Sequence, residues 1–488
     1  MDFETIIGLE VHAQLLTKSK MFCGCSADYA STPPNTHVCP VCLALPGVLP
    51  VINRRAVEYT IMTALALNCT ISEYTKFDRK NYPYPDLMKG YQISQYDAPI
   101  GHHGSLIIEV NGEKKKIGIT RVHMEEDVAK LLHRNSADGD DYSLVDVNRS
   151  GVPLMEVVGE PDLRSSEEAR QYLIKLRSIL QYLGVSTGNM EEGSFRCDAN
   201  ISIRPVNSAE PLAKVEVKNM NSFKAVYQAL DYEARRQRKA AAEGKKLFQE
   251  TRGWLENKGK TVSQRSKEYA HDYRYFPEPD LPPLVISRDW VDEIKARLPE
   301  LPEDRRTRFM TEYGLPPYDA GLLTGSKDVA DYFEEALTTE AYQKMTKDKD
   351  AKEVSNWILG EVSRIINANN ITISEFSERV SPRKLCELIN SAHTAINTAT
   401  AKAVLEEMYQ TGQEAAAIIN EKGLSQISDS AELEGAVLEV IQSNAQPVAD
   451  YKAGKEQALK FLVGQVMKLT KGRANPRLVN DLLEKKLR

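Results

Sequence analysis

Residues 194–204 read SFRCDANISIR, a run in which apolar and polar side chains alternate without a break. Because successive side chains of an extended strand point to opposite faces, this run predicts a strand with one apolar and one polar face. The apolar face carries Phe195, Cys197, Ala199, Ile201 and Ile203, and the polar face carries Ser194, Arg196, Asp198, Asn200, Ser202 and Arg204. Such a strand belongs in a sheet that packs against a core on one side only.

The same alternation recurs along the first part of the chain. It is present in GLEVHAQL at 8–15, in LIIEVNGEKKKIGITRVHMEE at 106–126 and in AKVEVKN at 213–219. The second of these segments contains Asn111-Gly112, a dipeptide typical of the tight turn of a β-hairpin. Strands joined by hairpins pair antiparallel, so we expect a largely antiparallel sheet.

Helical signals first interrupt this pattern and then replace it. Ser165 and Glu168 form a capping box before an apolar stripe that ends at Gly184, and a second helix is predicted to begin at Ser222. Prolines crowd residues 277–302, and beyond them helical periodicity dominates. The order of these signals predicts a sheet-containing region followed by a helical one.

These patterns predict an α+β fold with three domains. We expect a largely antiparallel β-sheet domain at 1–293, an all-α helical domain at 294–408 and a small all-α tail domain at 409–488. Hydrophobic residues make up 42% and charged residues 27% of the 488 residues, a balance typical of soluble globular proteins.

Charge is distributed unevenly along the chain. The whole chain carries a net charge of −6, whereas residues 451–488 hold ten Lys or Arg against three Asp or Glu and carry +7. A basic segment on an acidic protein favours an anionic partner such as nucleic acid, although a solvated helical face would show the same pattern. No run approaches the ~18 apolar residues of a membrane span and no signal peptide is visible, so a cytoplasmic location is expected.

Four of the seven cysteines lie in FCGCSADYASTPPNTHVCPVC at 22–42, spaced as C-x-C and C-x-x-C. In a reducing compartment, clustered cysteines are typical of metal sites rather than disulfides. Four thiolates suit tetrahedral zinc and leave no position for a catalytic water. We therefore predict a structural zinc site at Cys23, Cys25, Cys39 and Cys42. Free thiols and a redox role are alternatives that this spacing also allows.

Acidic and imidazole side chains gather on three predicted strands. Glu10 and His12 share one face of the first strand, and His123 and Glu125 share one face of the hairpin strand. Glu156 lies within LMEVV, an apolar setting in which an unpaired carboxylate is costly. If these groups converge, they form a hard divalent site for Mg²⁺ or Mn²⁺. If they do not, they are solvated surface charges.

Residues 77–97, FDRKNYPYPDLMKGYQISQYD, interleave tyrosines with Arg79, Lys80 and Lys89. Aromatic and cationic side chains together suit a nucleotide or an RNA end through stacking and phosphate contacts, although such tyrosines also pack structurally. The chain contains no P-loop, no dinucleotide-binding glycine motif and no nucleophile elbow, so any ATP must be held by another arrangement.

Several segments together resemble the B-subunit family of the bacterial aspartyl/glutamyl-tRNA(Asn/Gln) amidotransferases. The resemblance covers essentially the whole chain and rests on GLEVHAQL, FDRKNYPYPD, KGYQISQYD, TRVHMEEDVAK, MEEGSFRCDANIS, VEVKNMNSF, DYRYFPEPDLPPL, FLVGQVMK and KGRANPRLVN. It implies a cradle domain, a helical domain and a tail that contacts tRNA. It also implies a heterotrimer in which an amidase subunit releases ammonia from glutamine and a small third subunit holds the complex together.

The resemblance further implies an ATP- and Mg²⁺-dependent reaction on Glu-tRNA(Gln) or Asp-tRNA(Asn). The B subunit phosphorylates the side-chain carboxylate, and ammonia then displaces phosphate to leave the amide. Phosphorylation supplies the leaving group that a carboxylate oxygen lacks, and phosphoryl transfer needs a metal and cations to neutralise charge. Family members often carry the cysteine cluster as a zinc site beside the active face, which supports a structural zinc.

Roles for individual residues follow from the same resemblance. The implied Mg²⁺ ligands are Glu10, His12, Glu125 and Glu156. Glu126, on the opposite face of a regular strand, would receive ammonia, and Lys80 and Lys89 would hold phosphate or line the ammonia path. The residues implied for the pocket of ATP and the tRNA 3′ end are Ser194, Arg196, Asp198, Asn200, Lys218 and Asn219.

Two other functions compete with this interpretation. A non-catalytic RNA-binding subunit that only delivers tRNA would explain the basic tail but not the acidic face. A zinc hydrolase acting alone would need an open zinc position, which four cysteine ligands do not leave.

Overall fold

The computed structural model describes residues 2–135, 141–206, 208, 210–266, 273–344, 351–425, 430–452, 454–470, 473–474 and 476–487. The chain forms two compact units, Met1–Pro302 and Glu303–Arg488. All the strands found among the described residues lie in the first unit, and the second unit is helical. The predicted fold class, α+β with a sheet followed by all-α structure, is confirmed.

The strands of the first unit range from two to fourteen residues. They are β1 (Phe3–Gln14), β2 (Thr70–Ile71), β3 (Tyr74–Thr75), β4 (Asp78–Asn81), β5 (Tyr91–Ser94), β6 (Gly101–Val110), β7 (Glu113–Glu126), β8 (Lys130–Asn135), β9 (Asp141–Asp146), β10 (Pro153–Gly159), β11 (Phe195–Pro205), β12 (Val215–Lys218), β13 (Glu250–Leu255), β14 (Lys260–Ser266), β15 (Phe276–Pro277) and β16 (Leu284–Val285). Twelve of them form one sheet, while β3 pairs with β16 and β8 pairs with β9 in separate ribbons.

The large sheet has the order β14-β13-β12-β11-β1-β10-β7-β5-β4-β15, with β6 also beside β7 and β2 beside β6. Its neighbouring strands pair antiparallel, as predicted, except β12 and β13, which pair parallel. A helix, Phe223–Ala242, connects these two strands, and a parallel pair requires a crossover of this kind. The central strand β1 pairs with β10 on one side and β11 on the other, which joins segments distant in sequence.

The predicted hairpin is formed by β6 and β7. Its turn lies at Asn111 (φ 53°) and Gly112 (φ 82°), and the strands pair on either side of it. Positive φ at both central positions is the type I′ geometry, which asparagine and glycine adopt most readily. The turn chemistry therefore sets the register that places His123 and Glu125 on the sheet.

Four helices accompany the sheet: α1 (Arg54–Ala66), α2 (Ser166–Tyr182), α3 (Phe223–Ala242) and α4 (Arg288–Ala296). Helix α2 begins as predicted, because the Oγ of Ser165 accepts a hydrogen bond from the N–H of Glu168 at 3.1 Å. The carboxylate of Glu168 accepts from the N–H of Arg164 instead of completing the capping box at Ser165. The helix is followed by Gly184 at φ +66°, where glycine is strongly favoured.

The apolar face of the sheet forms the core of the first unit. Helices α1 and α2 contact β6, and α3 contacts β11. Val11, Met155, Val157 and Ala199 are fully buried in this core. Burial of a side chain of the size of valine stabilises the fold by about 1.5–3 kcal/mol, so this face fixes which side chains point the other way.

The second unit contains α5 (Pro302–Glu312), α6 (Pro317–Thr324), α7 (Lys327–Thr338), α8 (Glu340–Gln343), α9 (Ala351–Trp357), α10 (Ser363–Asn369), α11 (Ile373–Arg379), α12 (Pro382–Thr394), α13 (Thr398–Thr411), α14 (Ala415–Glu421), α15 (Ser430–Ser443), α16 (Ala445–Lys452), α17 (Glu456–Leu469) and α18 (Pro476–Leu487). A π-helical turn, Ile358–Val362, joins α9 to α10. None of the helices in the described ranges is long and apolar enough to cross a membrane.

Both predicted domain boundaries fall inside helices. Residue 293 lies in α4, whose Val291 and Ile294 belong to the core of the first unit. Residue 408 lies in α13, and the next hydrophobic core continues through Ile419 before a separate core begins at Leu433. The division into three domains stays a prediction, and the cores favour boundaries that lie somewhat later than 293 and 408.

Candidate active site

Acidic and imidazole side chains from three strands converge on the polar face of the sheet. The Nε2 atom of His12 lies 3.2 Å from Oε1 of Glu125 and 3.5 Å from Oε2 of Glu156. Strand register explains this meeting, because Glu156 on β10 lies opposite His12 on one side and His123 on the other. Glu125 follows His123 by two residues and so shares its face. Three segments distant in sequence thus supply one cluster.

These side chains fit a hard divalent cation. In the part of the chain that the structure describes, His12, Glu125 and Glu156 offer ligand atoms within 4.8 Å of one another. Burial opposes charge on both His12 and Glu156. The carboxylates of Glu156 and Glu125 nevertheless hold the pKa of His12 well above its usual value, and the imidazoles of His123 and His12 hold the pKa of Glu156 well below its usual value. A cation could replace the proton that His12 carries between the two carboxylates. Carboxylate oxygens with one imidazole suit Mg²⁺ or Mn²⁺.

The cluster lines a cavity of about 340 Å³. Its carboxylates are Glu10, Glu125, Glu156, Asp198 and Glu216. Its permanent cations are Lys80, Arg121 and Lys218. Five carboxylates against three cations leave two negative charges when the imidazoles are neutral, the amount that one divalent cation balances.

Lysines and tyrosines form the walls of this cavity. The Nζ of Lys218 donates to Asp198 at 2.6 Å. Burial disfavours the charged form of Lys80, but the negative charge of Glu125 raises the pKa of its ammonium group above the usual value. Tyr275, a further lining residue, stacks on Tyr96 with ring centroids 4.2 Å apart. The cavity therefore combines a cation site with groups that suit phosphate and a planar base.

Glu126, the neighbour of Glu125, faces a different cavity, as expected for the opposite side of a strand. This second cavity, of about 270 Å³, is also lined by Lys89, Cys42 and several residues of 41–50. The Nζ of Lys89 contacts Oε1 of Glu126, and the N–H of Ile93 donates to the same oxygen at 2.9 Å. Adjacent residues of β7 thus serve two cavities.

The four predicted cysteines meet in the loop between β1 and α1. Cys23, Cys25, Cys39 and Cys42 bring their sulfur atoms within 4.8 Å of one another, and Sγ of Cys42 lies 3.5 Å from that of Cys23. The Cys23 thiol and the Lys20 ammonium lower the pKa of Cys42 to about 4, although burial opposes this shift. Four thiol donors at this spacing fit zinc and leave no coordination position open.

Comparisons with known proteins cover most of the chain. The family described as the GatB/GatE catalytic domain matches residues 5–292, and the family described as the GatB domain matches residues 340–487. Three similar relatives are named as B subunits of aspartyl/glutamyl-tRNA(Asn/Gln) amidotransferase. The relative from Dehalococcoides mccartyi (strain CBDB1) is 64% identical over 486 residues, 99% of both chains. Those from Thermomicrobium roseum and Carboxydothermus hydrogenoformans are 56% and 54% identical, over 100% of this chain and 99% of each relative.

The chain belongs to the B-subunit family of aspartyl/glutamyl-tRNA(Asn/Gln) amidotransferases. The family resemblance seen in the sequence is thereby confirmed. The matched catalytic region, 5–292, contains the metal cluster, the four thiols and both cavities.

One of the four Mg²⁺ ligands implied for this family lies apart from the others. Glu10 lines the cavity but accepts a hydrogen bond from Nδ2 of Asn200 at 2.8 Å, and it is absent from the converging set formed by described residues. It precedes His12 by two residues, which along a strand is roughly 6.5 Å. Asn200 itself lines a neighbouring cavity of about 530 Å³ that also includes Glu10.

Of the six residues implied for the nucleotide and tRNA pocket of the B-subunit family, some line the metal cavity and others lie elsewhere in the structure. Asp198 and Lys218 line the metal cavity. Arg196 donates instead to the buried Asp127 at 2.8 Å. Ser194 accepts from the N–H of Asn189 at 3.0 Å in the turn before β11. Asn219, which follows β12 at φ +63°, is likewise not among the described residues that line this cavity.

The cations of the basic and tyrosine-rich segment 77–97 also differ in what they contact. On β4, Arg79 forms a paired ion contact with Glu278 at 2.7 and 2.8 Å and lies over the ring of Tyr91, a structural arrangement. Lys80, its neighbour, enters the metal cavity instead. Strand alternation explains why adjacent cations take different roles.

Sequence reasoning did not select several residues that the structure places at these sites of the amidotransferase chain. Alternation places Arg121 on the face of His123 and Glu125, but no site role was assigned to it. Lys20 is fully buried against Cys42, with Nζ 3.4 Å from Sγ, and no sequence pattern marks it. Tyr275 lies within the motif DYRYFPEPDLPPL but reaches the cavity only through the fold.

Proposed function

We propose that this protein is the subunit that activates the amino acid in a glutamine-dependent tRNA amidotransferase. It converts Glu-tRNA(Gln) or Asp-tRNA(Asn) to Gln-tRNA(Gln) or Asn-tRNA(Asn), using ATP and ammonia. The convergence of His12, Glu125 and Glu156 in a cavity that also holds cations carries this proposal. The names of its relatives supply the substrate class.

The cavity supports phosphoryl transfer to a carboxylate. An oxygen of the substrate carboxylate attacks the γ-phosphorus of ATP, the bond to the bridging oxygen breaks, and ADP leaves with that electron pair. Mg²⁺ held by His12, Glu125 and Glu156 would neutralise phosphate charge during this step. Lys80 and Lys218 orient the anionic reactants from the cavity walls.

The second cavity supports delivery of ammonia. Glu126 binds an ammonium ion and accepts one proton from it, which restores a nucleophilic nitrogen. Lys89 holds the Glu126 carboxylate in place through their contact. Ammonia then attacks the carbonyl carbon of the acyl phosphate, phosphate leaves, and a proton is lost to give the amide.

The four-cysteine cluster is a structural zinc site in this proposal. Zinc held by Cys23, Cys25, Cys39 and Cys42 would order the loop between β1 and α1, part of which lines the second cavity. A closed set of four sulfur ligands supplies stability rather than chemistry.

The remaining parts of the chain serve assembly and tRNA binding. The basic segment 451–488 suits the phosphate backbone of tRNA, and we assign the tail domain, 409–488, to that contact. The partners in the heterotrimer are an amidase subunit, which supplies ammonia, together with a small third subunit. We place the complex in the cytoplasm, where charged tRNA is used.

The decisive experiment reconstitutes the chain with its amidase and small subunits and measures ATP hydrolysis and amide formation on Glu-tRNA(Gln). We expect E125Q to lose at least about 100-fold in both rates while tRNA affinity is retained, because a ligand of the metal is removed. The matched control is E113Q, at the exposed start of the same strand. Full activity of E125Q with retained tRNA affinity would indicate a subunit that only delivers tRNA.

A further inference from the structure

Arg121 is the one cavity cation that the sequence-based site assignment leaves without a role. It lies on β7 two residues before His123, opposite Val158 of β10. Val158 in turn lies opposite Glu10 of β1, so Arg121 occupies the row next to the one that holds His12 and Glu156. Two residues along a strand correspond to roughly 6.5 Å.

The guanidinium of Arg121 has no acceptor among the residues that the structure describes, and its Nε atom is buried. The other cavity cations differ in this respect. Lys218 donates to Asp198 at 2.6 Å, and the carboxylate of Glu125 stabilises the charge of Lys80. A buried donor without a partner destabilises the fold, so its presence beside a cavity calls for an acceptor supplied by a ligand.

The neighbouring carboxylates have other partners, which explains why none pairs with Arg121. Glu156 lies 3.1 Å from His123, and Glu125 lies 3.2 Å from His12. Glu10 accepts from Asn200 at 2.8 Å. Among the described residues, no carboxylate of the cavity therefore pairs with Arg121, and its guanidinium can bind an anion directly.

We propose that Arg121 binds the phosphoryl group that is transferred, first as the γ-phosphate of ATP and then as the acyl phosphate. The inference rests on the proposed function and adds a catalytic residue to it. A guanidinium presents N–H donors in a planar fork that matches two oxygens of a phosphate. The spacing along the strand lets one phosphate group reach both Arg121 and the cluster of His12, Glu125 and Glu156.

Arg121 stays protonated throughout the step. As the carboxylate oxygen bonds to phosphorus and the bond to ADP breaks, negative charge remains on the three oxygens of the phosphoryl group that is being transferred. Arg121 donates hydrogen bonds to these oxygens and stabilises the transition state more than the bound substrates. No proton leaves the guanidinium, and ADP departs with the electron pair of the broken bond.

The test measures tRNA-dependent ATP hydrolysis and amide formation by the reconstituted complex carrying R121A, R121K or the control R235A. Arg235 pairs with Asp231 on the exposed side of α3. We expect R121A to lose about 100-fold in turnover with little change in the KM for tRNA, because an arginine that stabilises a phosphoryl group is worth about this much or more. Added guanidinium ion should raise the turnover of R121A about tenfold, because it can occupy the space of the missing side chain. It should leave the turnover of the unsubstituted complex unchanged.

Two results would overturn the proposal. One is turnover of R121A within about twofold of the unsubstituted complex. The other is a loss of turnover that guanidinium does not rescue and that accompanies a lowered melting temperature, which would identify a structural arginine. If R121A does not fold, R121K decides: a loss of about tenfold at unchanged melting temperature supports a bidentate contact, and full turnover excludes it. Failure of the unsubstituted complex to couple ATP hydrolysis to amide formation would instead refute the proposed function.

Discussion

In the helical unit, Glu334 accepts hydrogen bonds from Arg305, Arg308 and Tyr313, at 2.9, 2.7 and 2.9 Å. In the sheet unit, Glu125 and Glu156 instead face two imidazoles, those of His12 and His123, and the cavity around them carries more carboxylates than permanent cations. Both clusters are partly shielded from water. Only in the first cluster do the cations and hydrogen-bond donors match the carboxylate that they contact.

This difference separates two uses of charge. A cluster whose donors and acceptors match stabilises the chain that contains it. A cluster with more carboxylates than permanent cations, and with one guanidinium that has no acceptor among the described residues, gains free energy when ligands of the opposite charge bind. Charge balance inside a cluster therefore helps to distinguish a binding site from a structural network in this protein.

Glu126 offers the most severe test of this distinction, because it is paired like Glu334 yet lies beside the active cavity. We expect E126Q to retain tRNA-dependent ATP hydrolysis but to lose about 100-fold in glutamine-dependent amide formation, since a group that deprotonates ammonium is removed. Amide formation should recover with added ammonium salt at alkaline pH, where free ammonia is abundant.

The exposed E113Q variant on the same strand is the control for E126Q. If E126Q formed amide at the normal rate but melted at a lower temperature, the contact between Lys89 and Glu126 would be a structural ion pair of the Glu334 type. Glu126 and Glu334 would then both be structural, and charge balance would correctly separate structural clusters from the binding site in each of these cases.

The cysteine cluster extends the comparison, because its four thiolates repel one another and are stabilised together only by a bound cation. We expect C39S to bind less zinc and to lower the melting temperature of the sheet unit by about 3–5 °C, a shift that corresponds to about 2–3 kcal/mol in a unit of this size. Turnover at a permissive temperature should fall much less. Zinc content and melting curves of the purified chain provide the measurement.

Cys386 provides the control for C39S, since it is buried in the core of the helical unit, whereas the cluster belongs to the sheet unit. C386A is expected to destabilise its own unit and to leave zinc content unchanged. Normal thermal stability of C39S together with abolished turnover would contradict a structural role and favour a chemical one for the thiols.

Alternation along the strands was sufficient to predict much of the fold. It identified β1, β7 and β11 and their polar faces, and Asn111-Gly112 fixed the hairpin. The parallel pairing of β12 with β13 was not predicted, because it depends on where helix α3 returns the chain to the sheet. Strand order likewise depends on contacts between segments far apart in sequence.

The candidate site shows the same limit more sharply. Alternation placed Glu10 and His12 on one face, but only the register between β1 and β10 shows that His12 meets Glu156 and that Glu10 lies one row away. Ser194 and Asn219 lie where regular strand geometry ends, so alternation no longer fixes their direction. The roles implied for the site residues stay predictions until the variants are measured.

The smallest expected effect concerns Glu334, the reference cluster. Burial raises the pKa of its carboxyl, but hydrogen bonds from Arg308, Tyr313 and Arg305 outweigh this and lower it. Because the folded pKa lies below the unfolded value of about 4.3, the stabilisation is present above that pH and is lost as the pH falls through the folded pKa. E334Q should therefore destabilise the helical unit at pH 7 and have a diminishing effect in acid.

We expect the loss at pH 7 to be about 1–2 kcal/mol, since the cluster is partly exposed and salt weakens it. Urea denaturation followed by circular dichroism, at pH 7 and in acid, measures both the loss and its pH dependence. The control is E312Q, whose carboxylate lies 3.4 Å from Arg308 at a site that is 57% exposed and should change stability by less than about 0.5 kcal/mol. Equal stability of E334Q and E312Q would show that a balanced cluster need not stabilise the fold, and charge balance would then lose its value as a guide to function.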